Sequence, residues 1–213
     1  MSRVPGVAQV RAQFFYDTDY RGYGASTSAT PDAYATSEKI LFQSTRNGNL
    51  SLSNFPSANG LVGNQLFQIK AVRHEVLFQA ANGDVSFGTT TGIDGIAELM
   101  TLVLSGSTFD LQVNDRSAFQ GPLTMTPAGG GPWGFVSDSV RPLITNGDPT
   151  GKQIYALPLP IDIDANEPVK MVEKKYSLAG PSGSLDVVGA INNFQGQKLS
   201  RAYIDGIHTR DAT

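Results

Sequence analysis

Apolar residues alternate with polar ones along several segments of this chain, and this two-residue period constrains the fold more than any other feature. Successive side chains of a strand point to opposite faces of its sheet, so such alternation predicts half-buried β-strands. The longest segment covers residues 66–80, where the phase slips near Ala71 and again near Leu77. Slips of this kind predict a bulge or bend in a long strand.

Turn residues separate the alternating segments. Asn-Gly pairs at residues 47–48 and 82–83 are strong hairpin signals, and a turn at 114–116 follows the strand predicted over 109–113. Further strands are predicted over residues 39–42, 118–125, 153–163, 185–191 and 199–207. The segment 153–163 contains two prolines, which lack ladder N–H groups, so we expect it at a sheet edge. Eight to ten short strands without a βαβ rhythm predict an all-β sandwich or barrel.

Residues 94–104 are the one good helix candidate. Apolar residues from Ile96 to Val103 recur at the spacing of one helix face. Asp94 is the expected N-cap and Gly106 the expected C-cap. The alternative is a buried strand over residues 100–104.

The first 37 residues are predicted to be an irregular, extended N-terminal arm, and residues 38–213 a single domain. The arm is rich in small polar residues, yet it also contains many aromatic residues, which are rare in flexible tails. We therefore expect it to lie against its own domain or against a neighbouring subunit. The candidate interface residues of the arm are Phe14, Phe15, Tyr16, Tyr20 and Tyr23.

Composition argues against several partners. Charged residues make up only 16% of the chain and the net charge is −3, so no basic footprint for nucleic acid or anionic membrane is present. A surface so poor in charge favours burial by a partner, although an ordinary β protein with polar loops has the same composition. The N-terminus lacks a signal-peptide pattern, and no apolar run approaches the ~18 residues of a membrane helix. Cysteine does not occur, which excludes disulfides and thiol chemistry.

No motif predicts catalysis or a cofactor. His74, placed by the pattern on the exposed face of its strand, and His208 have no metal-like partners nearby in sequence. Asp162, Asp164 and Glu167 are too sparse for a calcium loop and fit the solvated side of a strand better. The sequence also lacks a Gly-x-Ser-x-Gly nucleophile elbow. We therefore predict no catalytic residue, no metal and no cofactor.

Trp133 follows a run of three glycines and is predicted to lie in a long loop. A phosphate-binding loop would end in Lys-Ser/Thr and open a helix, whereas Pro132 and Trp133 follow the glycines here. An exposed tryptophan could anchor an interface or stack on a sugar. Packing under its own loop is the alternative.

The order of several segments resembles the major capsid proteins of icosahedral, often membrane-containing bacteriophages with upright jelly rolls. The similarity covers residues 38–207. It rests on Leu41-Phe42, Asn54-Phe55-Pro56, residues 63–69, the helix from Ile96, residues 106–116, Gly121-Pro122-Leu123, residues 127–131, residues 157–163 and residues 185–190.

The resemblance implies a jelly-roll β-sandwich of about eight strands. It implies a virion structural protein, made in the host cytoplasm, that assembles with itself into trimers or pseudo-hexameric capsomers. Other capsid proteins are implied partners, specific nucleic acid is not, and an internal viral membrane is left open. No catalytic residue is implied.

Two other functions remain open from the residues alone. A carbohydrate-binding β-sandwich, from a phage fibre or a secreted enzyme, would use Trp133 and the tyrosines of the arm for stacking. A hydrolase on a β scaffold would need a nucleophile and base that the sequence does not reveal.

Overall fold

The structure is a computed structural model. It describes residues 9–21, 38–42, 53–56, 61, 65–80, 86–87, 90–129, 133–135, 143–147, 155–176, 178–180, 183–185 and 196–210. The strands are β1 (Gln9–Arg21), β2 (Glu38–Leu41), β3 (Gln65–Ala80), β4 (Ser86–Phe87), β5 (Thr90–Thr91), β6 (Ser107–Val113), β7 (Arg116–Pro122), β8 (Trp133–Phe135), β9 (Leu143–Thr145), β10 (Tyr155–Ile163), β11 (Val169–Lys175), β12 (Leu178–Gly180), β13 (Gly183–Leu185) and β14 (Gly196–Arg210). The helix α1 spans Gly92–Ser105, and Leu123–Met125 form one 3-10 turn.

These strands form two main antiparallel sheets. The first sheet has the order β1-β14-β3-β9-β8, and β10 also pairs with β3. The second sheet has the order β2-β11-β6-β7. Two short ribbons, β4-β5 and β12-β13, are separate from both sheets. The prediction of an all-β fold with one helix is therefore confirmed.

The core lies between the inner faces of the two sheets. Alternate residues of the strands point inward and supply the apolar side chains of this core. The first sheet contributes Phe15, Phe67, Ile69, Val72, Ala202 and Ile204, and the second contributes Leu41, Phe109, Leu111, Val169 and Met171. Full burial of each large side chain contributes about 1.5–3 kcal/mol, so this layer holds the sandwich together.

The eight longest strands pair as a nested series. β6 and β7 form the innermost hairpin, and its two-residue turn is Asn114-Asp115. Both turn residues have positive φ, 52° and 60°, which is the type I′ geometry that matches strand twist. Outward from that turn, β3 pairs with β10, β2 with β11 and β1 with β14.

Strand β3 contains the bulge that its sequence predicts. The register with β14 shifts between Asp205 and Gly206, which face Ala71 and Ile69, so Lys70 is the extra residue. The phase slip near Ala71 is therefore confirmed. The register between β3 and β14 has no shift at Leu77. The prediction of a second irregularity there is therefore wrong for this strand pair.

The first strand corrects the prediction of an irregular arm. Residues 9–21 pair with β14 along their whole length and form part of the first sheet. The alternation of this strand is interrupted at Asp17, a polar residue that is buried on the same face as Phe15. Asp17 accepts hydrogen bonds from the backbone N–H groups of Thr18 and Phe42, which makes its burial tolerable. Residues 22–37 lie outside the described ranges, and the domain boundary after residue 37 stays a prediction.

Several local predictions have clear outcomes. The helix is confirmed over the predicted segment, and the buried-strand alternative is wrong. The helix begins at Gly92, so Asp94 lies in its first turn and not at the N-cap. Gly106 follows the helix and donates its N–H to the Leu102 carbonyl. Trp133 begins strand β8, so its placement in a loop is wrong. The hairpin at residues 47–48, the turn at 82–83 and residues 186–191 lie outside the described ranges.

The prediction of an edge strand over residues 153–163 is confirmed within the described pairing. β10 pairs with β3 alone, and its register jumps between Ala156 and Ile161 around the two prolines. Among the described residues, no helix combines the length and the apolar character that crossing a membrane requires.

Candidate functional site

The outer face of the first sheet contains exposed apolar residues beside a cluster of aromatic and charged residues. On β1, Phe15 points into the core, so its neighbours Phe14 and Tyr16 point outward. On β14, Ala202 and Ile204 point into the core, so the residues between and beside them share the outer face with Phe14. We call this surface the outer face of the first sheet.

One half of the outer face is an exposed apolar patch. Val10 is 65% exposed, Phe14 49%, and Leu66 and Ile207 36% each. The register brings them together, because Val10 faces Thr209, which faces Leu66, and Ala12 faces Ile207 in the next row. Large contiguous apolar patches on protein surfaces often have a binding role, so this apolar patch is a candidate contact surface.

The other half of the outer face is a cluster of aromatic rings and guanidinium groups. The rings of Phe14, Tyr16 and Tyr203 have centroids 6.0–6.4 Å apart. The Arg73 guanidinium lies 4.5 Å from the Tyr203 ring centre, and that of Arg201 lies 5.4 Å from the Tyr16 ring centre. Both distances are within the range of cation–π attraction.

Ion pairs fix these guanidinium groups in place. Arg73 donates two hydrogen bonds to the Asp205 carboxylate, at 2.6 and 2.7 Å, in a bidentate arrangement. Arg201 lies 3.6 Å from Glu75, which also accepts the Tyr203 hydroxyl at 2.7 Å. The cluster contains two positive and two negative groups, so it has no net charge.

Burial raises the pKa of Tyr203 to about 12, partly opposed by the hydrogen bond from Arg201 and supported by the charge of Glu75. The phenol is therefore un-ionised at neutral pH and keeps its hydrogen bond to Glu75. This half of the face does not titrate near neutrality through Tyr203.

The predicted interface residues have different positions. Phe14 and Tyr16 lie on the outer face, Phe14 exposed and Tyr16 partly buried. Phe15 is 2% exposed and packs against Phe55 and Phe67, so the prediction of Phe15 as a contact residue is corrected: its side chain belongs to the core. Contacts of the others with a second subunit stay a prediction.

The remaining three predicted residues are only partly described. Tyr20 lies in β1 opposite Leu199, and Trp133 lies in β8 opposite Thr145; the structure describes the backbone but not the side chain of both. Tyr23 lies outside the described ranges. Sequence reasoning missed Arg73, Arg201 and Tyr203, although the alternation of residues 201, 203 and 205 along β14 was available as a signal.

The two histidines are buried rather than exposed. His74 is 0% exposed, so its predicted position on an exposed strand face is wrong. Its Nδ1 lies 2.7 Å from the Thr126 hydroxyl, its Nε2 lies 2.8 Å from the Met171 sulfur, and Glu173 is 3.9 Å away. Burial lowers the pKa of His74 to about 3, so the ring is neutral and structural.

His208 is also neutral. Burial and the charges of Arg11 and Arg210 lower its pKa. Its Nδ1 accepts from Arg11 at 3.4 Å, and its Nε2 is 2.9 Å from the Gln65 side-chain oxygen, which fits a ring protonated on Nε2. Within the described ranges, no three His, Asp or Glu side chains are grouped as metal ligands would be.

No protein-family model matches this chain, and no curated protein is significantly similar to it.

Proposed function

We propose that the chain is a structural subunit of a virus capsid, built as a jelly roll, which assembles with copies of itself through the outer face of its first sheet. The proposal places it in the virion, as part of a trimer or a pseudo-hexameric unit. It includes no catalytic activity and no cofactor. Other capsid proteins and an internal membrane are partners that it allows.

The nested strand pairing supports the jelly-roll part of the proposal. Among the eight longest strands, the first pairs with the eighth, the second with the seventh, the third with the sixth and the fourth with the fifth. A long antiparallel ribbon wrapped into two sheets has this order. Contacts of the eighth strand with the third and of the seventh with the fourth join the wrapped ribbon into a double-sheet jelly roll.

The apolar patch of Val10, Phe14, Leu66 and Ile207 is the single observation on which self-assembly rests. Burial of such a patch against a partner is favourable by roughly 25 cal/mol per Å² of apolar surface. The neighbouring ionic cluster supports the same partner. Since it contains equal numbers of positive and negative groups, a second copy meets no net repulsion there.

Light scattering after size exclusion and negative-stain electron microscopy test this proposal. We expect the wild-type protein to form higher assemblies as its concentration rises. The double substitution Phe14→Ser with Ile207→Ser should shift the protein to monomers, because it removes apolar area from the centre of the contact. The control is Ile40→Ser on the second sheet, where the replaced side chain is 40% exposed.

The measurement has two adverse outcomes with different meanings. A wild-type protein that stays monomeric at every concentration contradicts self-assembly itself. Assembly that survives the double substitution, with an unchanged unfolding temperature, contradicts the assignment of the contact to the outer face of the first sheet.

A further inference from the structure

The outer face of the second sheet contains a shallow groove of about 450 Å³. The register places its lining in two rows across β11, β6 and β7. One row runs from Val172 through Asp110 to Gln120, and the next runs from Lys174 through Thr108 to Pro122. Tyr176 lines the groove beyond the end of β11. The volume lies in the range of small-molecule sites.

Three neutral polar groups of the groove have no hydrogen-bond partner in the described part of the chain. They are the side-chain amide of Gln120 and the hydroxyl groups of Thr108 and Tyr176. Tyr176 as a whole is also half exposed, at 51%. Its backbone N–H is bonded to the Gly106 carbonyl at 2.7 Å, so the base of this side chain is fixed while its ring stays open to a ligand.

The charged groups of the groove are already engaged. The Asp110 carboxylate accepts from Ser117 at 2.6 Å and from Gln112, which fixes its orientation. Lys174 lies 3.8 Å from Glu38. The lining contains one negative residue, Asp110, and one positive residue, Lys174, so the groove has no net charge and offers no net attraction to an anionic ligand such as phosphate.

We propose that this groove binds a neutral saccharide, an inference that goes beyond the capsid function and does not depend on it. A sugar ring offers hydroxyl groups that both donate and accept, which suits the amide of Gln120, the hydroxyl of Thr108 and the oriented carboxylate of Asp110. It also offers a C–H face that packs on an exposed aromatic ring such as Tyr176. The site differs from the sugar site predicted around Trp133, which lies in the first sheet.

Saturation-transfer difference NMR with neutral trisaccharides based on glucose, galactose and N-acetylglucosamine tests the proposal, with inorganic phosphate as the competing ligand. We expect at least one trisaccharide to bind and phosphate not to compete. Tyr176→Ala and Gln120→Ala should each weaken binding by about tenfold, which corresponds to loss of about 1.4 kcal/mol. Tyr176→Phe should keep most of the affinity, since it retains the ring.

Leu159→Ala is the control. Leu159 lies on β10 and is 80% exposed, so its substitution removes exposed apolar surface away from the groove. All substituted residues lie at the surface, so unfolding temperatures should not change. The proposal is overturned if no trisaccharide binds, if binding is indifferent to both alanine substitutions in the groove, or if phosphate displaces the sugar. None of these results bears on self-assembly, which the light-scattering measurement tests separately.

Discussion

The side chain of Asn54 binds the open edge of β1 beside Tyr16 as another strand would. Its carbonyl oxygen accepts the Tyr16 N–H at 2.7 Å, and its NH₂ group donates to the Phe14 carbonyl at 2.9 Å. The Asn54 backbone N–H and the Ser53 hydroxyl both donate to the Tyr16 carbonyl. An unpaired strand edge is a template for unwanted pairing, and this short segment occupies the edge next to the aromatic cluster.

Replacement of Asn54 with alanine should therefore lower the stability of the protein. Two hydrogen bonds to backbone groups are lost, each with a net contribution of about 0.5–1.5 kcal/mol. Asn54→Asp keeps the acceptor for Tyr16 and loses the donor to Phe14, so its loss should be intermediate. Urea denaturation of the three proteins gives the order. Equal stability of the wild-type and alanine proteins would show that water replaces the amide without cost.

Gly206 allows the bulge of β3 to approach β14 closely. A Cβ atom at this position would lie 2.1 Å from the Gln68 carbonyl oxygen and 2.9 Å from the Phe67 ring. Because one of these neighbours is backbone inside a paired strand, it cannot move aside easily. Gly206→Ala should destabilise the protein by at least about 2 kcal/mol, measured by chemical denaturation.

Gly121→Ala is the matched control for that substitution. A Cβ atom there would lie 3.1 Å from the sulfur of Met125, which is flexible and 39% exposed. We expect its effect to be clearly smaller than that of Gly206→Ala. The reverse order of the two losses would refute the close-approach argument.

Local alternation predicted individual strands well because the side chains of a half-buried strand report directly which face is buried. β6 is the clearest example, with Phe109 and Leu111 inside and Thr108 and Asp110 on the other face. Alternation contains no information about which strand pairs with which. The pairing of β1 with β14, at opposite ends of the chain, therefore could not be predicted. Because that pairing forms the outer face of the first sheet, this surface could not be predicted either.

The position of His74 shows how one residue can reverse a local prediction. Ahead of the bulge, Phe67 and Ile69 point inward; after it, the inward set is Val72, His74 and Val76. One extra residue in the strand exchanges the two faces from that point on. The slip was visible in the sequence near Ala71, and Val72 and Val76 beyond it share the phase of His74, but the polar residue between them was assigned to the surface.

The burial of His74 should make the stability of the protein fall in acid. Its folded pKa is about 3, whereas the ordinary value is 6.5. The unfolded chain therefore takes up a proton below pH 6.5 while the folded protein does not, so stability is full above that pH and is lost as pH falls towards 3.

His74→Gln isolates this contribution, because it retains polar atoms for Thr126 and cannot titrate in this range. Between about pH 7 and about pH 4.5, the wild-type protein should lose about 2–3 kcal/mol more than the variant in urea denaturation. His208→Gln is a necessary control, since the pKa of His208 is lowered as well and contributes with the same sign. Parallel pH profiles for the wild-type and His74→Gln proteins would mean that the buried ring gains a proton without cost, for example by closing the 3.9 Å gap to Glu173.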